Sequence, residues 1–308
     1  MLLPTVKFNH EEQHFEATDS QDISSLVQSM HKPLSLTFQL TRNCNYRCIY
    51  CSEPPGILTR SFSEMKQMID KLKGMRRIIF SGGEPMMYKY FWEILEYARD
   101  KFELVVLSTN ASRITREAAT RLKGLVDYVD VTVDGPRKQH DLIRGHYDEV
   151  IRGLMHVALE DIPRSIICVY LPGNCDVIHY ICHTGDMLGA HKVKILTPIP
   201  KGRSQGIFAD FVTGDELVNL KNFLEEEKQR NGWRIRITIT DWMKVGQGHA
   251  ILLEPDGRMV ASPVWDEAEC ILPFGNLAEQ ETEALWSQQY PYKENHLKKY
   301  LEKTLIVA

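Results

Sequence analysis

Leu34-Ser35-Leu36-Thr37-Phe38-Gln39-Leu40 runs directly into Thr41-Arg42-Asn43-Cys44-Asn45-Tyr46-Arg47-Cys48-Ile49-Tyr50-Cys51, so an apolar β-type run is followed at once by a loop with three cysteines. Runs of the same kind recur at residues 77–80 (RIIF), 104–108 (LVVLS), 128–133 (YVDVTV), 165–170 (SIICVY) and 192–196 (KVKIL). Between them, residues 63–73, 90–101, 115–122, 147–159 and 175–188 carry apolar side chains at the 3.6-residue spacing of a helix covering a sheet. Strands that alternate with helices pair in parallel, because each helix returns the chain to the same end of the sheet. The pattern therefore predicts an α/β fold of six parallel strands. Chemistry in such folds lies in the loops that follow the strands, which is where the cysteine loop falls.

Composition narrows the class. The chain has 308 residues, 43% hydrophobic and 25% charged, as in globular domains and unlike disordered or collagen-like chains. A net charge of -4 provides no general basic field for nucleic acid. No apolar run approaches the roughly 18 residues of a membrane span, and MLLPTVKFNH at residues 1–10 lacks the pattern of a signal peptide. The expectation is a cytoplasmic protein without nucleic-acid or membrane partners. Seven cysteines are too few and too uneven for a disulfide framework, and clustered thiols in a reducing compartment point to metal or redox chemistry.

Cys44, Cys48 and Cys51 stand as C-x3-C-x2-C. Three thiolates are one short of the four that a closed zinc site or a conventional iron–sulfur cluster uses. An iron–sulfur cluster held by three cysteines leaves one iron open to a small molecule; structural zinc needs a fourth ligand, and this loop contains no histidine. The second motif, Gly82-Gly83-Glu84-Pro85, closes the second strand. Its glycines permit close backbone approach to a ligand, and Glu84 is the kind of anionic acceptor an ammonium group requires.

The two motifs in this order at strand ends resemble the radical S-adenosylmethionine (SAM) superfamily. The resemblance implies a 4Fe–4S cluster on Cys44, Cys48 and Cys51, with SAM chelating the open iron and its amino group held at Gly82, Gly83 and Glu84. It implies a partial (β/α)6 parallel barrel over residues 34–205. Ser108-Thr109-Asn110 after the third strand and Thr132-Val133-Asp134-Gly135-Pro136 after the fourth, followed by His140-Asp141-x-x-Arg144-Gly145, are similar to the branch of molybdopterin and pyrroloquinoline quinone synthesis enzymes and of sulfatase and peptide maturases. Ser108, Asn110, Thr132 and Arg144 would then contact SAM, and the Tyr50 backbone would approach the adenine. Arg144 also offers a planar fork suited to a carboxylate.

Residues 1–33 read as an N-terminal arm and 206–308 as a C-terminal extension. Within the extension, Glu254-Pro255-Asp256-Gly257 is a hairpin turn signal. The stretch through Ser262-Pro263, with Phe274-Gly275-Asn276-Leu277 and Trp286, resembles the auxiliary-cluster (SPASM or twitch) region of that branch. Ser262 stands where a ligand cysteine would precede the proline, and Cys270 alone cannot hold a second cluster. A single cluster follows, with the hairpin capping the barrel mouth and excluding water.

Cys168, Cys175 and Cys182 fall on a strand, a loop and a helix, and read as small buried residues. Catalytic candidates are His140, in a group with Asp141, His146 and Tyr147 that offers a general acid or base, and Cys270 as a hydrogen-atom donor. Lys201 and Arg203 are placed to clasp an anionic group. The resemblance implies reductive cleavage of SAM to a 5′-deoxyadenosyl radical that abstracts hydrogen from a small-molecule or peptide substrate, with an electron donor such as flavodoxin or ferredoxin. A ribosomal peptide maturase is one alternative, and a non-catalytic iron–sulfur scaffold another.

Overall fold

The computed structural model describes residues 6–10, 14–17, 22–53, 56, 58–171, 174–205, 214–301 and 305–308. The start of the C-terminal extension, residues 206–213, lies outside them. In chain order the strands are β1 (Val6–Asn9), β2 (His14–Ala17), β3 (Ser35–Gln39), β4 (Arg77–Ser81), β5 (Leu104–Thr109), β6 (Tyr128–Thr132), β7 (Arg164–Val169), β8 (Lys192–Leu196), β9 (Arg236–Thr240), β10 (Ala250–Leu253), β11 (Arg258–Ser262), β12 (Leu272–Asn276) and β13 (Leu305–Val307). The helices are α1 (Ile23–Ser29), α2 (Phe62–Leu72), α3 (Phe91–Arg99), α4 (Arg116–Leu122), α5 (Arg137–Ile143), α6 (Tyr147–Leu159), α7 (Cys175–Met187), α8 (Gly214–Asn231), α9 (Trp242–Val245), α10 (Thr282–Ala284) and α11 (Lys293–Leu301).

β3 to β8 are the six runs read from the sequence, and they pair in parallel in sequence order. Local signals fix the helix starts: Ser61 accepts from the Glu64 amide while Glu64 accepts from the Ser61 amide, a reciprocal cap that begins α2. The Thr115 hydroxyl caps α4 by accepting from the Ala118 amide at 3.1 Å. Met65, Ile69 and Leu72 of α2, Ile94, Leu95 and Ala98 of α3, Val150, Leu154 and Val157 of α6, and Ile178 and Ile181 of α7 are buried in the layer that covers the sheet.

The sheet does not stop at residue 205. β9 adds to β8 in parallel and β10 adds to β3 in parallel, so eight parallel strands stand side by side; β11, β12 and β13 close the edges antiparallel. The β10–β11 hairpin, expected as a cap, is instead a side wall. β10 pairs Leu252 with Thr37 and Leu253 with Phe38, supplying hydrogen-bonding partners that the edge of β3 would otherwise lack.

Inside the curl, alternate residues face the axis, as the two-residue period of a strand requires. Arg77, Ile79 and Ser81 of β4, Tyr128 and Asp130 of β6, Lys192, Lys194 and Leu196 of β8, and Arg236, Thr238 and Thr240 of β9 line one interior cavity. The β1–β2 pair of the N-terminal arm, with Phe8 opposite Phe15, contributes both rings to its lower end. Phe8 meets Tyr128 at 6.0 Å and Phe15 meets Tyr300 at 6.0 Å between ring centres.

Candidate active site

A second cavity opens at the carboxyl ends of the parallel strands. Its walls bring together Cys44, Cys48, Cys51, Tyr50, Gly82, Gly83, Ser108, Asn110, Thr132 and Arg144, all of them named from the sequence. Glu84, His140 and Cys270 are absent from this wall, as are Asp141, His146 and Tyr147 of the His140 group.

The cysteine loop is held from two sides. Gly83 donates its N–H to the Thr41 carbonyl at 2.7 Å and Glu84 to the Asn43 carbonyl at 2.8 Å. A Cβ on Gly82 would stand 2.3 Å from the Thr41 carbonyl oxygen, and one on Gly83 2.4 Å from that of Asn43. The two glycines therefore let the β4 end press against residues 41–43, a role for the fold beside any approach to a ligand. From the other side, Arg203 donates its backbone N–H to Cys51 and its Nε to the Cys48 carbonyl, each at 2.9 Å. Lys201, buried, faces Glu53 at 3.5 Å. Both residues grip the cysteine loop, where the sequence suggested an anion clasp.

Burial pushes the Cys44 and Cys48 thiols up. Metal binding at these sulfurs must therefore release protons. Among the described residues no three His, Cys, Asp or Glu side chains converge on a point that could hold one metal ion. The wall also holds buried polar atoms without a hydrogen-bond partner among the described residues: Gln39 Oε1, Glu53 Oε2 and Arg144 Nε. Orphaned buried polar atoms are rare in folded proteins, and these three fit a site shaped for a polar ligand.

Glu84 is wholly buried, and its carboxylate accepts from the Thr109 hydroxyl at 2.8 Å, the Asn110 N–H at 2.8 Å and the Met86 N–H at 3.1 Å. Burial raises its pKa, and these hydrogen bonds oppose the rise. The free acceptor read from the sequence is in fact the clamp that joins the ends of β4 and β5. Asn110 is likewise engaged, donating to Asn45 at 3.0 Å and accepting from Ser112. It ties the strand end to the cysteine loop.

The Tyr50 phenol donates to Asp134 and accepts from Arg144 at 2.7 Å, while Asp134 accepts from the Val169 N–H at 3.0 Å. The side chain of Tyr50, and not only its backbone, is thus part of the wall. Arg144 lies 3.5 Å from Asp134 in a nearly buried ion pair. Its fork is partly engaged, leaving Nε for a further acceptor.

The catalytic expectation for His140 is not met by its placement. The ring is fully buried, Nδ1 accepts from the Asp134 N–H at 3.2 Å, and burial foremost, with Arg144 beside it, holds its pKa down to about 4. It supports the turn after β6 as a neutral structural histidine. Cys270 points its thiol at the Pro200 carbonyl, 3.4 Å away. It supports the loop that carries Lys201, so the hydrogen-donor role loses its geometric basis. Cys168 and Cys182 are fully buried, and all seven cysteines are free thiols.

Trp242 and His249, which the sequence did not single out as site residues, also belong to this wall. Their rings stack at 4.7 Å in the cavity wall, with the Trp242 indole N–H donating to the Thr197 carbonyl at 2.8 Å. An aromatic just after a strand end was the available signal.

The fold and this wall define an α/β-barrel protein with a three-cysteine loop at its mouth. The sequence profile of the radical SAM superfamily matches residues 38–177. The chain is 32% identical over 222 residues to a mycofactocin maturase of Mycobacterium tuberculosis, a match that covers 68% of this chain and 56% of that one. It is 38% identical over 156 residues to an Fe-coproporphyrin III synthase of Methanosarcina barkeri, covering 47% and 39%. Among solved structures, SuiB of Streptococcus suis bound to its precursor peptide SuiA superposes with a TM-score of 0.71 at 12% identity, over 87% of this chain and 66% of that one. That likeness is one of fold. The chain belongs to the radical SAM superfamily. Membership implies a 4Fe–4S cluster and SAM as cofactors. The chain spans about half the length of the curated relatives it matches. No helix among the described residues is long and apolar enough to cross a membrane.

Proposed function

We propose that this protein is a biosynthetic radical SAM enzyme that reductively cleaves SAM and abstracts hydrogen from a small-molecule or peptide substrate. The observation that carries the reading is the convergence of Cys44, Cys48, Cys51, Gly82, Gly83, Ser108, Asn110, Thr132 and Arg144 on one strand-end cavity. When bound, the cluster would supply the electron for SAM cleavage, the chemistry that the cofactors and not the side chains carry.

The protein's own residues bind and orient. Cys44, Cys48 and Cys51 would hold the cluster. The backbone at Gly82 and Gly83, the side chains of Ser108 and Thr132, and Arg144 Nε would position SAM, with Tyr50 and Asp134 fixing Arg144. Asn110 and Glu84 act through the loop they brace. Trp242 and the β10–β11 wall enclose the cavity against water. The cluster would draw its electron from a carrier such as flavodoxin or ferredoxin, in the cytoplasm.

A second reading, ribosomal peptide maturation, draws on the maturase relative and on the precursor peptide bound to SuiB. The test of the shared chemistry is 5′-deoxyadenosine formation by anaerobically reconstituted protein given SAM and reductant, wild type against Cys48→Ala. Product from wild type alone supports the proposal. Equal product from both would overturn it.

A further inference from the structure

The cavity inside the barrel adjoins the SAM-side cavity: Thr37, Ser81, Ser108, Leu196 and Trp242 line both. Its composition is unusual for a protein interior. Among the described residues, Arg77, Lys192, Lys194, Arg236 and Lys299 face it against the single carboxylate of Asp130. Asp130 is already engaged, holding Lys194 through both oxygens at 2.8 Å. Burying ammonium and guanidinium groups is expensive unless an anion meets them.

Two of these cations have no carboxylate partner among the described residues. The Arg77 Nε donates to the Ser35 hydroxyl at 2.9 Å, and its guanidinium lies 4.8 Å from the Tyr300 ring centre and 5.3 Å from that of Phe15. Lys299 Nζ lies 5.3 Å from the Tyr300 ring centre and 5.6 Å from that of Trp242. The positive field is strong enough to act on its neighbours. Burial would raise the Tyr300 phenol, yet Lys299 and Arg77, together with hydrogen bonds to Ser35 and Arg77, outweigh it and bring its pKa below the usual value. Burial foremost, with Lys194 and Arg236 nearby, brings the Lys192 ammonium down to about 7.

We propose that this chamber holds the substrate and that its floor, built from Arg77 and Lys299 with Lys192 and Arg236 beside them, receives the carboxylate end of an elongated small organic acid. The proposal rests on the radical SAM reading for the identity of the upper cavity. Arg77 opens β4 and Ser81 closes it; at about 3.3 Å per residue, the floor lies roughly 13 Å below the strand ends. A substrate anchored there spans the barrel and presents its far carbon at the mouth beside the cysteine loop. Phe8 and Phe15 of the β1–β2 pair line the floor from below, so the acid enters from the mouth with its anionic end first.

The test is calorimetric titration of the anaerobically reconstituted holoprotein with adipate, a linear dicarboxylate, and with neutral adipamide. Wild type is expected to bind adipate saturably and adipamide not at all. Lys299→Gln should weaken adipate at least tenfold while SAM affinity and melting temperature stay unchanged, and Lys299→Arg should restore it to within about threefold. Because Lys299→Gln alone could disturb the fold, Lys192→Gln serves as an independent second variant with the same expected loss. No adipate binding by wild type that binds SAM, or undiminished binding by both Gln variants, overturns the chamber. A holoprotein that binds adipate but never yields 5′-deoxyadenosine with SAM and reductant counts against the proposed reaction and leaves the chamber standing.

Discussion

The Glu84 carboxylate accepts a hydrogen bond from the Thr109 hydroxyl at 2.8 Å, and both side chains are buried at the joint between the ends of β4 and β5. Glu84→Ala strips the partner from that hydroxyl and from the amides of Asn110 and Met86. Each buried donor left unsatisfied costs about 1–3 kcal/mol. The expected outcome is a loss of about 3 kcal/mol or more in urea unfolding, with Glu84→Gln recovering part of it. Unchanged stability in Glu84→Ala would show that the clamp carries little.

Gly202 adopts a φ of +62°, and a Cβ there would stand 2.6 Å from the Cys51 carbonyl oxygen and 2.7 Å from that of Ser52. Gly202→Ala must push the cysteine loop away from the Arg203 grip. The variant should fold, bind less iron after reconstitution and bleach several-fold faster in air than wild type. Equal bleaching rates would show that the loop absorbs the methyl group.

Iron and acid-labile sulfide analysis separates the two groups of cysteines. Alanine at Cys44, Cys48 or Cys51 should abolish a stable 4Fe–4S cluster. Alanine at Cys270 should leave iron content near wild type, because that thiol points at the Pro200 carbonyl and lies outside the wall that holds the other three. Loss of iron in Cys270→Ala would return it to the site.

His140 provides a pH signature. Its folded pKa is held near 4 by burial, against an ordinary 6.5. The unfolded chain therefore takes up a proton between those values that the folded chain refuses. This contribution to stability is complete above about pH 6.5 and is lost as pH falls towards 4, at about 1.4 kcal/mol per pH unit. His140→Asn should flatten the acid limb of the stability profile by one proton, measured by urea unfolding from pH 4 to 7. Identical slopes for variant and wild type would place a charged imidazole in the fold.

Much of the barrel was legible because its signals are local. The run at 192–196 coincides with β8, and the other five core runs fall within a residue or two of β3 to β7. The arginine at 77, the lysines at 192 and 194 and the arginine at 236 alternate with apolar residues inside strands that helices cover. That period-two pattern already pointed to a polar interior, but strands in helix-covered sheets are usually read for their apolar content alone. The strands of the C-terminal extension were harder to assign. β9 and β10 join opposite sides of the core, an outcome set by which edges lacked partners and not by their own sequences.

The candidate site divides in the same way. Cys44, Cys48 and Cys51, with the Gly82-Gly83 strand end, could be placed from spacing alone, because a strand of fixed rise delivers its closing residues to one end of the sheet. Where a side chain points after that depends on partners far along the chain. Glu84 is held by residues 25 and 26 positions later, Lys201 and Arg203 meet a loop about 150 residues earlier, and Lys299 enters a chamber whose walls begin near residue 35. The sequence by itself determined the order of strands and helices and the position of the three thiols, through local hydrogen bonding and apolar period. Only the tertiary structure decided that Glu84 is a clamp, that the hairpin is a wall and that the barrel interior is cationic, because each follows from how a curled sheet brings distant residues to face one another.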